Sequence, residues 1–190
     1  YQTNPDSSVL AEAFYLHGDV LKSNSEYEQA IAYYTKVLEH RPASLIELAT
    51  IGSIADCQFT LAAQKNSAEL YRSAMNRYDL LLKRIDLPEA LRVMLHYKSG
   101  RCAEELDDVD TALKHYKAAT YSLVSKVSSS VALWGTKAVE AIVTIAEKAP
   151  LKSHVEDAVR ALQRLADAEL MEQEMVDERV RKLEKMKFKP

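Results

Sequence analysis

The sequence predicts an all-α fold, a solenoid of antiparallel helix pairs closed by a long C-terminal helix. Three observations point there. Glycine and proline together number only nine in 190 residues, too few for the turns of an all-β chain. Apolar residues recur at three- and four-residue steps, the period of a half-buried helix. The four glycines are Gly18, Gly52, Gly100 and Gly135. The first two, and again the last two, are spaced at the period of a helix–turn–helix array, about 34 residues. Glycine costs a helix interior about 1 kcal/mol against alanine. Each is therefore expected at a seam, where the missing Cβ lets the other helix of its pair approach closely.

Composition narrows the function. With 47% hydrophobic and 28% charged residues the chain is too apolar for disorder. A formal charge of −3 provides no basic field for a nucleic acid backbone, so none is expected as partner. No stretch approaches the roughly 18 uncharged apolar residues of a membrane span. The chain begins at Tyr1 and reads as a processed or trimmed product, so a missing signal peptide says nothing about compartment. Cys57 and Cys102 are too few for a disulfide framework and lack metal-ligand spacing. Both fall on first helices, so a bridge is conceivable; two buried thiols are the simpler reading.

The elements follow in order. Asp6 or Ser7 is a plausible N-cap. From Ser8 to Ser23 the residues Leu10, Ala13, Phe14 and Leu21 keep helical spacing, and Asn24-Ser25 ends the run. A second helix opens at Glu26 and carries Tyr27, Ala30, Ile31, Tyr34, Val37 and Leu38. Arg41-Pro42 closes it, because proline disfavours helix in the residue before it.

Phe14, Gly18, Ala30, Tyr34 and Pro42, with Tyr27 opening the second helix, resemble the tetratricopeptide repeat at its own spacings. Gly100, Ala112, Tyr116 and Ala119 make a second copy, with Val109 for the opening aromatic and no closing proline. Between them lies an enlarged unit. Ala74 and Tyr78 trail Gly52 much further than Ala30 and Tyr34 trail Gly18. That delay predicts a first helix over about 45–64 and a polar break at Lys65-Asn66-Ser67. The fourth unit repeats the enlargement: Ala158 trails Gly135 about as far as Ala74 trails Gly52, with Val155 and Leu162 at the aromatic sites. One compact and one expanded unit are thus duplicated, Gly100 answering to Gly18 and Gly135 to Gly52. The resemblance implies one right-handed superhelical domain over 1–190, with units about 8–44, 45–88, 89–126 and 127–170 and an extension over 171–190.

That extension is read as one helix running from Lys152 to about Lys187, because no proline or glycine interrupts it. Its charges are sorted. Residues 167–178 hold six acids and no base, whereas 179–189 hold six bases and one acid, Glu184. It is either a solvated cap on the last apolar face or an antiparallel self-pairing element, acid block on base block, which would make an oligomer. The cap is the preferred reading, since sustained heptads are absent.

Little in the chain carries chemistry. None of the five histidines has metal-ligand spacing, and no glycine-rich loop or nucleophile elbow is present. The acidic run Glu104, Glu105, Asp107, Asp108 and Asp110 lacks calcium-loop spacing and reads as a turn with Asp108 or Asp110 capping the next helix. Trp134 reads as a core residue filling the seam beside Gly135. Neither catalysis nor a cofactor or metal is expected.

In the resembled family, first helices line a concave groove that binds a peptide or protein segment, and offsets from each glycine name its residues here. They are Glu12, Tyr15, Asp19 and Lys22 in the first unit and Ser53 and Asp56 in the second. Tyr97, Arg101, Glu104 and Glu105 follow in the third, and Thr136 and Glu140 in the fourth. The family's best-known groove grips a C-terminal carboxylate with lysine and asparagine, where this chain has Tyr15 and Asp19. The acids outnumber the bases, so the expected occupant is an extended segment bearing Lys or Arg, held between Tyr15 and Tyr97. The expected function is a non-catalytic protein–protein interaction scaffold. Alternatives are an oligomerisation module acting through the last helix and a regulatory domain of a larger protein. The runs Glu28-Gln29-Ala30-Ile31 and Asp110-Thr111-Ala112-Leu113 resemble bacterial envelope-assembly repeat proteins, which implies an extracytoplasmic location.

Overall fold

A computed structural model describes residues 7–40 and 42–186. Among them the regular structure is entirely α-helical: α1 (Ser7–Ser23), α2 (Tyr27–Glu39), α3 (Ser44–Lys65), α4 (Ala68–Leu82), α5 (Glu89–Glu105), α6 (Val109–Thr120), α7 (Ser129–Lys148), α8 (Lys152–Asp167) and α9 (Gln173–Glu184). The chain divides into two compact units, 1–84 and 85–190. Each holds one compact and one expanded helix pair, so the division coincides with the duplication. Consecutive helices pack on one another within each unit, as in an α-solenoid. The expected Asp6 cap, Arg41 and the bases Lys187 and Lys189 lie outside the described residues, as does the side chain of Ser7.

Unit 1–84 packs α1 on α2, α2 on α3 and α3 on α4. Its centre is Tyr34, Ala30, Leu21, Ile54 and Cys57. Helix α3 is long and apolar enough to cross a bilayer by length and composition, but eight of its residues are buried against its neighbours, the pattern of a core helix. Ser67 caps α4 by accepting from the Leu70 N–H at 3.4 Å.

Unit 85–190 repeats the plan with α5 to α8 and adds α9. Asp108 caps α6 by accepting from the Thr111 N–H at 3.1 Å, and Ser128 caps α7 by accepting from the Val131 N–H at 3.3 Å. Val155 and Leu162 are buried at the aromatic sites, Leu162 in the place that Tyr34, Tyr78 and Tyr116 fill elsewhere and Val155 in that of Tyr27 and Tyr71.

The glycines divide into three kinds. A Cβ on Gly18 would lie 2.6 Å from Cε1 of Tyr34, and one on Gly100 would lie 2.5 Å from Cε1 of Tyr116. These two are the expected seams between the helices of one pair. On Gly135 a Cβ would meet Leu123 Cδ2 at 2.5 Å, so its neighbour is the segment joining α6 to α7 and not the second helix of its own pair. Gly52 needs no seam, since a Cβ there would meet only Leu81 Cδ1 at 3.8 Å, ordinary van der Waals contact. Both findings correct the expectation of four equivalent seams. In the expanded pairs the second helix starts later, and no tyrosine ring crosses the glycine.

The single long terminal helix is also corrected. It breaks over 168–172 into α8 and α9. Glu169 takes the left-handed conformation (φ 59°), the Leu170 N–H donates to the Leu165 carbonyl at 2.8 Å and the Glu169 N–H donates to that of Ala166 at 2.9 Å. Two such hydrogen bonds around a left-handed residue close a helix end. The same pattern closes α1 at Ser25 and α5 at Asp107. After the break α9 buries Val176 and Leu183 on one face and packs on α8. Each such burial is worth about 1.5–3 kcal/mol, which offsets a strained residue.

Candidate functional site

In unit 85–190, α5 and α7 enclose a hollow of about 400 Å³ lined by Tyr97, Arg101, Glu104, Thr136, Lys137, Glu140, Ala141 and Thr144. Helical spacing puts these residues there. Tyr97, Arg101 and Glu104 are four and three apart on α5, and Thr136, Glu140 and Thr144 are each four apart on α7, so each set forms one face. Five of the sequence-predicted groove residues therefore meet in one place.

One wall is aromatic. The Tyr97 ring centroid lies 5.9 Å from that of buried Tyr116 and 5.5 Å from that of Trp134. Trp134 is partly exposed and carries the Lys137 ammonium 4.6 Å above its ring. It is only partly buried, and the side chain that fills the space beside Gly135 is Leu123, which corrects the expected core filler. Gly135 is buried, and Trp134, one residue before it and about 100° round the helix, is turned away from that buried direction.

The charges in this hollow are matched. The Tyr116 hydroxyl donates to Glu104 Oε2 at 2.7 Å, and Lys148 Nζ lies 4.0 Å from the other oxygen. Arg101 bridges Glu105 at 3.2 Å and Glu104 at 3.6 Å. From α9, Arg179 donates both terminal nitrogens to the two oxygens of Glu140 at 2.6 and 2.7 Å. Lys182 pairs with Glu147 at 2.9 Å. The basic half of the terminal segment thus answers acids on α7.

Unit 1–84 presents the corresponding face on α1 and α3. Tyr15 stands with its ring centroid 5.8 Å from that of buried Tyr34, as Tyr97 does beside Tyr116. The Tyr34 hydroxyl donates to Asp19 Oδ1 at 2.5 Å and the Tyr78 hydroxyl to Asp56 Oδ1 at 2.6 Å. Lys22 lies 3.7 Å from the other Asp56 oxygen. Ser53 is buried beneath this surface, whereas Glu12 is exposed one turn before Tyr15.

Burial drives the Tyr34 and Tyr116 hydroxyls well above the usual phenol range, and the carboxylate each meets pushes the same way. Burial likewise raises the Cys57 thiol to about 11, with the Lys22 charge opposing and the Asp56 and Asp19 charges adding to it, leaving an inert core thiol. Cys57 and Cys102 are both buried, and among the described residues neither forms a disulfide.

The tyrosine–carboxylate bonds and the reach of α9 escaped the sequence reading. The first had a signal: each Ala-x-x-x-Tyr run on a second helix answers an acid one or four residues after a glycine, except at Gly135. The second had none, because Arg179 and Glu140 are far apart in the chain, across a break that composition does not mark.

A family model for the tetratricopeptide repeat matches residues 11–44, which take in most of α1 and all of α2. No curated protein and no solved structure matches the chain.

Proposed function

With a tetratricopeptide repeat at residues 11–44 as the premise, we propose that the chain is a non-catalytic scaffold that docks a protein segment on its first-helix faces. The observation that carries this reading is the pair Tyr15 and Tyr97. Each is half-buried, each leans on a fully buried tyrosine, and each sits at the same offset in its unit. Tyrosines so held lose little freedom on binding and offer both apolar area and a hydroxyl.

The preference for a Lys- or Arg-bearing segment belongs to unit 1–84. There the groove positions hold three acids, Glu12, Asp19 and Asp56, to one base, Lys22, and Glu12 stands exposed one turn before Tyr15. In unit 85–190 the acids Glu104, Glu105 and Glu140 are balanced by Arg101, Lys137 and Arg179. That hollow suits an apolar or neutral stretch of polypeptide. The oligomer reading has less support, because Arg179 and Lys182 already pair within the chain.

Calorimetric titration with a Lys/Arg-bearing peptide and an acidic one of equal length tests this. Only the basic peptide should bind, more weakly as salt rises. Tyr15→Ala should cost about 1–2 kcal/mol, as for an interface anchor. Equal binding of both peptides, indifferent to salt, would refute the proposal.

A further inference from the structure

On the second helices of unit 85–190, α6 and α8 enclose another hollow, of about 260 Å³. Its rim carries Lys117, Arg160 and Arg164 against a single acid, Asp157, and its floor is Ala161. Spacing makes the site. Lys117 and Thr120 share one face of α6 with Tyr121 at its C-cap, and Asp157, Arg160 and Arg164 share one face of α8. Asp157, the less exposed partner, is already occupied: Lys117 Nζ lies 2.8 Å from one oxygen and Arg160 Nη2 3.0 Å from the other.

Arg164 has no such partner. Among the described residues no carboxylate lies within ion-pair distance of it. Its guanidinium lies against Tyr121, 4.4 Å from the ring centroid, and Nη1 donates to the Thr120 hydroxyl at 3.4 Å. Stacking and one hydrogen bond hold the fork in place while leaving Nη2 and Nε to donate. A water's share of liquid volume is about 30 Å³, so the hollow has room for a tetrahedral anion with its remaining water.

We infer that this pocket is a binding site for a phosphate-class dianion, held by the Arg164 fork with Lys117 and Arg160 flanking it. Three cations against one carboxylate leave two positive charges, which a dianion neutralises. Bidentate donation from a planar guanidinium fits phosphate oxygens. The anion is either free phosphate or a phosphorylated side chain of a protein partner.

The test is a titration of the isotope-labelled full chain, followed by amide chemical shifts. The probes are inorganic phosphate, a phosphoserine peptide and its unphosphorylated counterpart. Saturable shifts at Lys117, Thr120, Tyr121 and Arg164 are expected, with no response to the unphosphorylated peptide. Response to the peptide alone would assign a phosphoprotein partner, response to phosphate alone a free ion, and both support the site. Arg164→Gln should weaken binding about tenfold and Arg164→Lys less, the loss expected for a charge-assisted bond. Arg160→Gln, a change at an exposed side chain, should weaken it while the chain stays folded, since Lys117 still pairs with Asp157. Absence of saturable shifts there, or shifts of undiminished affinity in both Gln variants, would overturn the inference.

Discussion

Unit 85–190 repeats the plan of unit 1–84, with Gly100 in the place of Gly18, yet the two units exchange the signs of two surface charges. One and four residues after its glycine, the first carries Asp19 and Lys22, and the second carries Arg101 and Glu104. In both, a tyrosine ring from the second helix crosses the glycine and its hydroxyl ends on a carboxylate, Asp19 in one unit and Glu104 in the other. The scaffold therefore requires an acceptor within reach of the hydroxyl, and either helical turn can supply it. The place left over takes a base, and that base chooses different neighbours: Lys22 turns to Asp56, Arg101 to Glu105. One architecture thus shows an acidic face in one unit and a matched one in the other.

The largest effects should come from the glycines. Gly18→Ala and Gly100→Ala drive a Cβ into a buried ring and should each cost about 1–3 kcal/mol, the usual range for overpacking. Gly52→Ala should be neutral or stabilise by up to about 1 kcal/mol, because the site has room and alanine favours helix. Urea denaturation of the three variants separates the seams from the bystander. A loss at Gly52 as large as at Gly100 would end the distinction.

Next come the hydroxyls. Tyr34→Phe and Tyr116→Phe keep the ring and remove one hydrogen bond to a charged acceptor, so each should lose about 1–2 kcal/mol. The same bonds set an alkaline limit. Both phenols hold their protons more tightly folded than unfolded. Their contribution is complete below the unfolded tyrosine value of about 10 and is lost as pH rises through the raised folded values. Stability of the parent chain should fall above that point, and in the double Phe variant the fall should be smaller. Asp157 works in the opposite direction. Lys117 and Arg160 hold its carboxyl below the usual range despite its burial. Its contribution is present above about pH 4 and disappears as pH falls through the lowered value, a loss that Lys117→Gln should reduce.

The smallest effect concerns α9. Arg179→Gln breaks a partly exposed ion pair and should cost at most about 1 kcal/mol. Leu183 and Val176, both buried, keep the helix docked. Hydrogen exchange in α9 should quicken only modestly in this variant; complete loss of protection would mean that charge, not burial, docks it.

The first seven helices were legible because their ends are marked. Asn24-Ser25 and Lys65-Asn66-Ser67 interrupt an apolar period with polar residues, and the recurring glycines place the pairs. The break at 168–172 was not legible. Ala168, Glu169, Leu170, Met171 and Glu172 are all helix formers, and the turn is imposed by what α9 gains in burying Val176 and Leu183. The site divides in the same way. Offsets from the glycines placed Tyr97, Arg101, Glu104, Thr136 and Glu140 together, because helical geometry fixes direction. Which acid is free depends on side chains reaching from other helices, and sequence spacing carries no record of that.

The most direct test of two faces on one scaffold is amide shift mapping of a bound Lys/Arg-bearing peptide. The largest charge-dependent shifts should fall on α1, around Glu12 and Tyr15, and shrink in Glu12→Gln, while shifts around Tyr97 persist there. Shifts confined to the second helices α2, α4, α6 and α8, or unchanged by Glu12→Gln, would contradict it.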